Sequence, residues 1–232
     1  MEIRTADTRG KTRLAWLDSK HSFSFGHYYD PRRLGYGALR VINDDWVAPG
    51  AGFDTHGHRD MEIITYMLSG ELLHRDSMGN HFSLKAGEIQ MMRAGTGVAH
   101  SEFNGSKTQP ATFLQIWIEP NEKNLTPHYE QFEFNPEAKR SGWVRLVAPQ
   151  TSDVEGVKIA QDAWIWATEL NSDSRNYSLG TERNAYLHVV KGTMQINGET
   201  LTTGDAALVD VEGSIEIVGT GEVLLFDLAK EQ

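Results

Sequence analysis

Short runs of apolar and β-favouring residues recur along this chain between polar turns of glycine or aspartate. The three-to-four spacing of an amphipathic helix is weak throughout. The runs predict strands over 39–42, 62–68, 82–84, 89–92, 113–118, 186–190, 194–196, 206–209, 214–218 and 223–228. Many short strands with glycine punctuation and at most a few short helices indicate an all-β sandwich or barrel.

The pattern repeats once. The segment from Thr65 through Gly70 to Leu72 matches that from Leu187 through Gly192 to Met194, and Lys85-Ala86-Gly87-Glu88 matches Thr202-Thr203-Gly204-Asp205. The paired glycines are 17 positions apart in the first copy and 12 in the second. The difference falls in the intervening hairpin. There the second copy carries Asn197-Gly198, a strong type I′ turn signal, and the first the longer turn from Asp76 to Asn80. Two copies of one β-unit predict two small β-barrels in one chain. The polar stretch 133–141, with Asn135-Pro136 and Lys139-Arg140, reads as the connector, dividing the chain into 1–132 and 133–232.

Composition narrows the chemistry. None of the 232 residues is cysteine, which excludes disulfides, thiolate zinc sites and iron–sulfur clusters and suits a reducing cytoplasm. A net charge of −10 lacks the basic footprint of nucleic-acid binding. The polar N-terminus has no signal-like apolar core, and no apolar run is long enough to span a bilayer, so no membrane partner is expected.

Within that frame two dyads stand out, His56-Gly57-His58 and His100-Ser101-Glu102. On a strand, i and i+2 side chains share a face. Adjacent strands would therefore aim three imidazoles and one carboxylate at one point. Such a set suits one divalent metal with coordination positions left open: iron(II), manganese, nickel, cobalt, copper or zinc. An isolated HxH is weak evidence, and exposed loop histidines are the competing reading; the shared spacing and fixed offsets from turn glycines favour the metal. Applied to the second copy, the same offsets land on Ser178, Gly180, Ile217 and Gly219, which hold no metal. One site per chain follows, in the first copy. Near the dyads, Phe53, Met91, Met92, Phe113 and Trp117 could form an apolar mouth or ordinary core.

The run from Gly50 through His56, His58 and Glu62 to Gly70 resembles the first cupin motif, and the run from Gly87 through Gly95 and His100 to Asn104 the second. Arg93 stands where cupins usually have proline, and four residues rather than two separate Gly95 from His100. These departures fit one branch, the pirins. So do Trp16-Leu17-Asp18-Ser19, His21-Ser22-Phe23-Ser24-Phe25, Tyr28-Tyr29-Asp30-Pro31, Ala94 to Glu102, and Gln115-Ile116-Trp117-Ile118 followed by Pro120. The likeness is dense over 14–130 and looser beyond.

The resemblance implies a bicupin, two double-stranded β-helix (jelly-roll) barrels of which the second is degenerate. It also implies His56, His58, His100 and Glu102 as ligands and favours iron(II). Glu62 is not among the implied ligands; its expected role is a hydrogen bond to a ligand imidazole or plain strand polarity. Some pirins are similar to quercetin 2,3-dioxygenases, which insert both atoms of O2 into the flavonol heterocycle and release carbon monoxide. A phenolic substrate is then expected in a pocket that includes Phe53, Met92, Phe113 and Trp117, with Glu102 also a candidate general base. The alternative implied by the same resemblance is a metal-bearing, redox-responsive regulator that binds a protein partner. A storage or structural cupin is disfavoured, because a closed structural site needs no open position.

Overall fold

A computed structural model describes residues 1–230 and is nearly all β. In chain order the strands are β1 (Glu2–Arg4), β2 (Gly10–Arg13), β3 (Leu17–His21), β4 (Leu39–Val47), β5 (Gly52–His58), β6 (Glu62–Ser69), β7 (Glu71–Asp76), β8 (His81–Lys85), β9 (Glu88–Arg93), β10 (Val98–Asn104), β11 (Ala111–Ile118) and β12 (His128–Glu133). A single helical turn, α1 (Ala138–Ser141), precedes β13 (Val144–Pro149), β14 (Val157–Ile159), β15 (Ala163–Leu179), β16 (Arg183–Ile196), β17 (Glu199–Thr202), β18 (Ala206–Val209) and β19 (Gly213–Ala229). Among the described residues, no helix is long and apolar enough to cross a membrane.

The chain forms two compact units, but not by one linear cut at 132/133. The N-terminal unit holds 10–134 and 157–161; the C-terminal unit holds 1–9, 135–156 and the chain from 162 onward. Long-range pairing moves both short segments. β1 pairs antiparallel with β18, Glu2 opposite Leu208 and Arg4 opposite Ala206, and the Ala6 N–H donates to Asp205 Oδ1 at 2.6 Å. In the other direction, the Asn121 N–H donates to the Ala160 carbonyl at 2.7 Å and the Lys158 N–H to Glu130 at 2.8 Å. Turn chemistry carries no information about where distant segments pair.

The N-terminal unit consists of two sheets, β12-β9-β6-β11-β4-β3-β2 and β5-β10-β7-β8. Their inner faces meet: Gln90 of β9 donates to Glu102 of β10 at 2.9 Å. β10 alternates strictly, with Val98, His100, Glu102 and Asn104 buried and the residues between them half-buried. Leu17, Val47, Met67, Leu72, Leu84 and Phe113 fill the core on one side of that polar layer, and Ile63, Met92 and Val98 form a smaller cluster elsewhere.

The C-terminal unit is one sheet, ordered β1-β18-β16-β19-β15-β13 with β17 on β16. Several predicted strands fuse here. Runs 186–190 and 194–196 are both β16, and 214–218 and 223–228 are both β19. The pairing of β16 with β19 continues through a register shift between Val189 and Lys191, and that of β15 with β19 through one between Asn171 and Asp173. Gly192 sits just past the first shift with φ +91°, where a Cβ would lie 2.0 Å from the Thr220 carbonyl, so only glycine lets the strands approach. Asn197 (φ 48°) and Gly198 (φ 85°) make the β16–β17 hairpin in the left-handed conformation their sequence predicts.

Glu62 is fully buried, and its partners correct one expectation. Arg93 Nε and the Ala160 N–H donate to it, each at 2.8 Å, and none of its hydrogen bonds reaches an imidazole. It ties 157–161 to the N-terminal unit. Glu62→Ala leaves a guanidinium and a buried N–H unpaired, and should cost about 3–5 kcal/mol of stability in urea denaturation. A loss below about 1 kcal/mol, the scale of a surface ion pair, would contradict this anchoring role.

Candidate metal centre

β5 and β10 are antiparallel neighbours, with His100 opposite His56 and Val98 opposite His58. Both dyads therefore present their side chains from one pair of strands. His100 Nε2 lies 3.1 Å from His56 Nε2 and 3.1 Å from His58 Nε2. The rings meet edge-on or tilted, with centroids 4.6–4.9 Å apart. A bulge between His100 and Glu102 breaks the register with β5, so that Glu102 falls opposite Phe53. The three imidazoles group tightly, and Glu102 joins through His100.

A residue that sequence reasoning missed completes this second group. His74 of β7 lies opposite Glu102 and groups with it and His100, the ligating atoms within 4.8 Å of one another. Its Nε2 is 3.1 Å from Asp76 Oδ2, in a pair with no side-chain exposure. The Nδ1 atoms of His74 and His100 are both buried without a hydrogen-bond partner. The available signal was a polar residue two positions from buried Leu72, on the same inward face of the strand.

The same signal marks a polar row across the larger sheet. His21, Asn43, Gln115, Thr65, Gln90 and Gln131 stand opposite one another on successive strands. Glu102 Oε1 accepts from Gln90 Nε2 at 2.9 Å and lies 3.3 Å from the Thr65 hydroxyl. Tyr129 donates to Gln90 Oε1 at 3.0 Å, fixing that amide. Burial pushes the Tyr129 phenol up, so it remains a donor. Glu102 Oε2 makes no hydrogen bond, and Glu102 lines the adjoining cavity.

Electrostatics at the site favour neutral nitrogens. Burial and the neighbouring imidazoles push His58 down to about 4, and burial with His56 and His74 pushes His100 down to about 3. Their lone pairs stay available at neutral pH. Burial pushes the Glu102 carboxyl up, against the pull of nearby histidines. Three lone-pair-bearing nitrogens and a buried carboxyl around one point fit a divalent cation by donor type and closeness.

A cavity of about 200 Å³ opens beside His56 and Glu102. Phe25, Phe53 and Trp117 form its apolar walls. Trp117 packs edge-on against both His58, at 5.0 Å, and Phe25, at 5.4 Å. Of the expected pocket residues, Phe53 and Trp117 line this cavity. Phe113 and Met92 do not; they are 0% and 1% exposed within the apolar clusters, as is Met91 within the interior. Strand parity puts Phe113 and Met92 on the inner face, but the cavity spans only some rows of that face.

Similarity to known proteins agrees with this geometry. A family model described as Pirin matches residues 2–118, and one described as the quercetinase C-terminal cupin domain matches 146–228. The chain belongs to the pirin family. It is 44% identical to quercetin 2,3-dioxygenase of Escherichia coli K12, over 97% of both chains. The crystal structure of YhhW from Escherichia coli superposes with a TM-score of 0.94 at 43% identity, covering 100% of this chain and 98% of that one. The structure of bacterial pirin YhhW in complex with nickel(II) gives 0.93 at 42% identity, covering 99% of each. Both halves of this pirin are thus of cupin type, as the repeat predicts.

In the C-terminal unit, Ile217 is fully buried and lies opposite Arg175, not Ser178, so counting from Gly192 slips by three residues at the upstream position. Both candidate metal-binding groups found among the described residues, one of three histidines and one of two histidines with Glu102, lie in the N-terminal unit.

The depressed imidazoles carry a pH signature in the metal-free chain. Below about pH 6.5 the unfolded chain takes up protons that His58 and His100 refuse until about pH 4 and 3. Native stability should therefore fall as pH drops from 6.5 toward 4. Imidazole NMR titration of chelator-treated protein should give these low midpoints; midpoints near 6.5 would contradict the packing described.

Proposed function

We propose that this pirin is a metal-dependent dioxygenase that cleaves quercetin or a similar flavonol with O2 and releases carbon monoxide. The observation that carries the reading is the convergence of three imidazoles, with a buried carboxylate beside them, at an apolar cavity lined by His56 and Glu102. The names of its relatives support the same activity, and the nickel(II) complex of YhhW supports a divalent ion in this donor set.

In this reading His56, His58, His100 and Glu102 hold one divalent metal, with iron(II) proposed as the native ion. The bound metal supplies Lewis acidity toward an enolic hydroxyl and the electron-transfer chemistry that dioxygen requires. The residues of the chain do the rest. Phe25, Phe53 and Trp117 give a planar ring apolar walls to lie against and keep water from it. Gln90 and Thr65 pin Glu102 by Oε1, which leaves Oε2 to take the hydroxyl proton of the substrate. Burial raises the basicity of that carboxylate, as proton abstraction demands. Tyr129 and Gln90 orient Glu102 without touching the substrate. The absence of cysteine supports a reducing cytoplasm as the proposed compartment.

The test is anaerobic loading with each candidate metal, then addition of O2 and quercetin, reading the loss of flavonol absorbance together with carbon monoxide. At least one metal should give both signals. His56→Ala and His100→Ala should stay folded and lose metal and turnover by more than about tenfold. Failure of every metal to yield carbon monoxide would overturn the reaction. Full turnover in a metal-replete Glu102→Gln would remove the base role alone.

A further inference from the structure

The polar row contains hydrogen-bond donors that the protein itself leaves unused. Asn43, 2% exposed, has its Oδ1 2.7 Å from His21 Nδ1, and its Nδ2 makes no hydrogen bond. Gln115, 7% exposed and opposite Asn43 on β11, turns its Oε1 to the Thr65 hydroxyl at 3.3 Å and likewise leaves Nε2 unbonded. Two residues along the same strand face, the Trp117 indole N–H is buried with no acceptor. All three side chains line the cavity that receives His56 and Glu102.

An indole N–H can only donate, and so can an amide NH2. In a largely apolar recess the buried Trp117 N–H carries a desolvation cost until an acceptor arrives, and the two amide groups offer unbonded donors along the same wall. The fitting ligand atom is an oxygen without hydrogen, such as a ring carbonyl or an enolate. The carboxylates of Glu102 and Asp45, which line the same cavity, suit ligand hydroxyls instead. Size adds a second constraint. At about 200 Å³ the space is below the ~300 Å³ at which pockets begin to enclose drug-sized ligands. It encloses one oxygenated ring, and a three-ring flavonol leaves its remainder at the mouth.

We propose that Asn43, Gln115 and Trp117 form an oxygen-acceptor subsite that sets specificity. It selects a ring in which a carbonyl or enolate oxygen stands beside the hydroxyl directed at the metal. The inference rests on the dioxygenase reading for the identity of the substrate, but its test is binding, not turnover. Zinc-loaded protein under argon is titrated calorimetrically with two single-ring probes. One is 3-hydroxy-4-pyranone, which has the adjacent hydroxyl and carbonyl. The other is catechol, which has two hydroxyls and no carbonyl.

The wild type should prefer the pyranone. Trp117→Phe and Gln115→Leu should each weaken pyranone binding about tenfold and leave catechol within about twofold, with zinc content unchanged. Equal weakening of both probes, no weakening of the pyranone, or no wild-type preference would each overturn the subsite. Should Trp117→Phe fail to fold, Gln115→Leu decides alone. Failure of the dioxygenase reading shows separately, as absence of carbon monoxide with every metal, and leaves the probe preference intact.

Discussion

The structure turns on placing ionisable and amide side chains inside an apolar interior. A buried carboxylate or amide with no partner costs several kcal/mol, on the order of the net stability of a domain. Glu102 meets this requirement by receiving Gln90, itself fixed by Tyr129, with Thr65 alongside. Those partners come from different strands at one level of the sheet, so the pairing works in one register only. A one-residue slip of any strand would turn its member of the row outward. Register and site chemistry are therefore the same constraint, which explains why polar residues occupy the centres of otherwise apolar strands.

The site was legible where a short-range period governs it. His56, His58, His100 and Glu102 are two i, i+2 pairs, and β5 and β10 bring them together because both strands alternate and pair. What alternation could not supply was depth and distance. Met92 and Phe113 share the inner face with the row yet lie beyond the cavity, because parity gives the face and not the level along the strand. His74 sits on a strand between the two dyads in sequence and meets Glu102 only through β7–β10 pairing. β15 escaped notice because the run Asn171 to Asn176 reads as a polar loop. It is a strand whose outer residues face solvent and which pairs with β19 along its length. The placement of 1–9 and 157–161 was equally out of reach, since each depends on a partner remote in sequence.

The two units show what the polar row costs by contrast. At positions repeated from the N-terminal copy, the C-terminal unit packs Leu187, Val189, Met194, Ile196 and Ile217 into one apolar core. Its buried charges are paired pointwise: Lys139 with Glu222 at 2.7 Å, and Asp227 with Tyr177 and Arg183, each at 2.5 Å. The same glycine-punctuated scaffold thus supports either a satisfied hydrophobic interior or a row of polar groups, depending on the inward positions alone.

Like groups brought together are the distinguishing physics of the N-terminal unit. Imidazole nitrogens 3.1 Å apart can share protons only in part, and burial discourages adding one, which is why His58 and His100 resist protonation. A hydrophobic substitution would relieve that frustration, as the C-terminal unit demonstrates. Retaining it makes sense if a species absent from the polypeptide resolves it, and a cation accepts three lone pairs where a proton accepts two at most. The same logic extends outward to Asn43, Gln115 and Trp117, whose unused donors call for an acceptor as the imidazoles call for a cation. Both deficits face one cavity. A ligand that presents an oxygen to each would satisfy them together, so the unsatisfied groups of the fold outline the shape of its substrate.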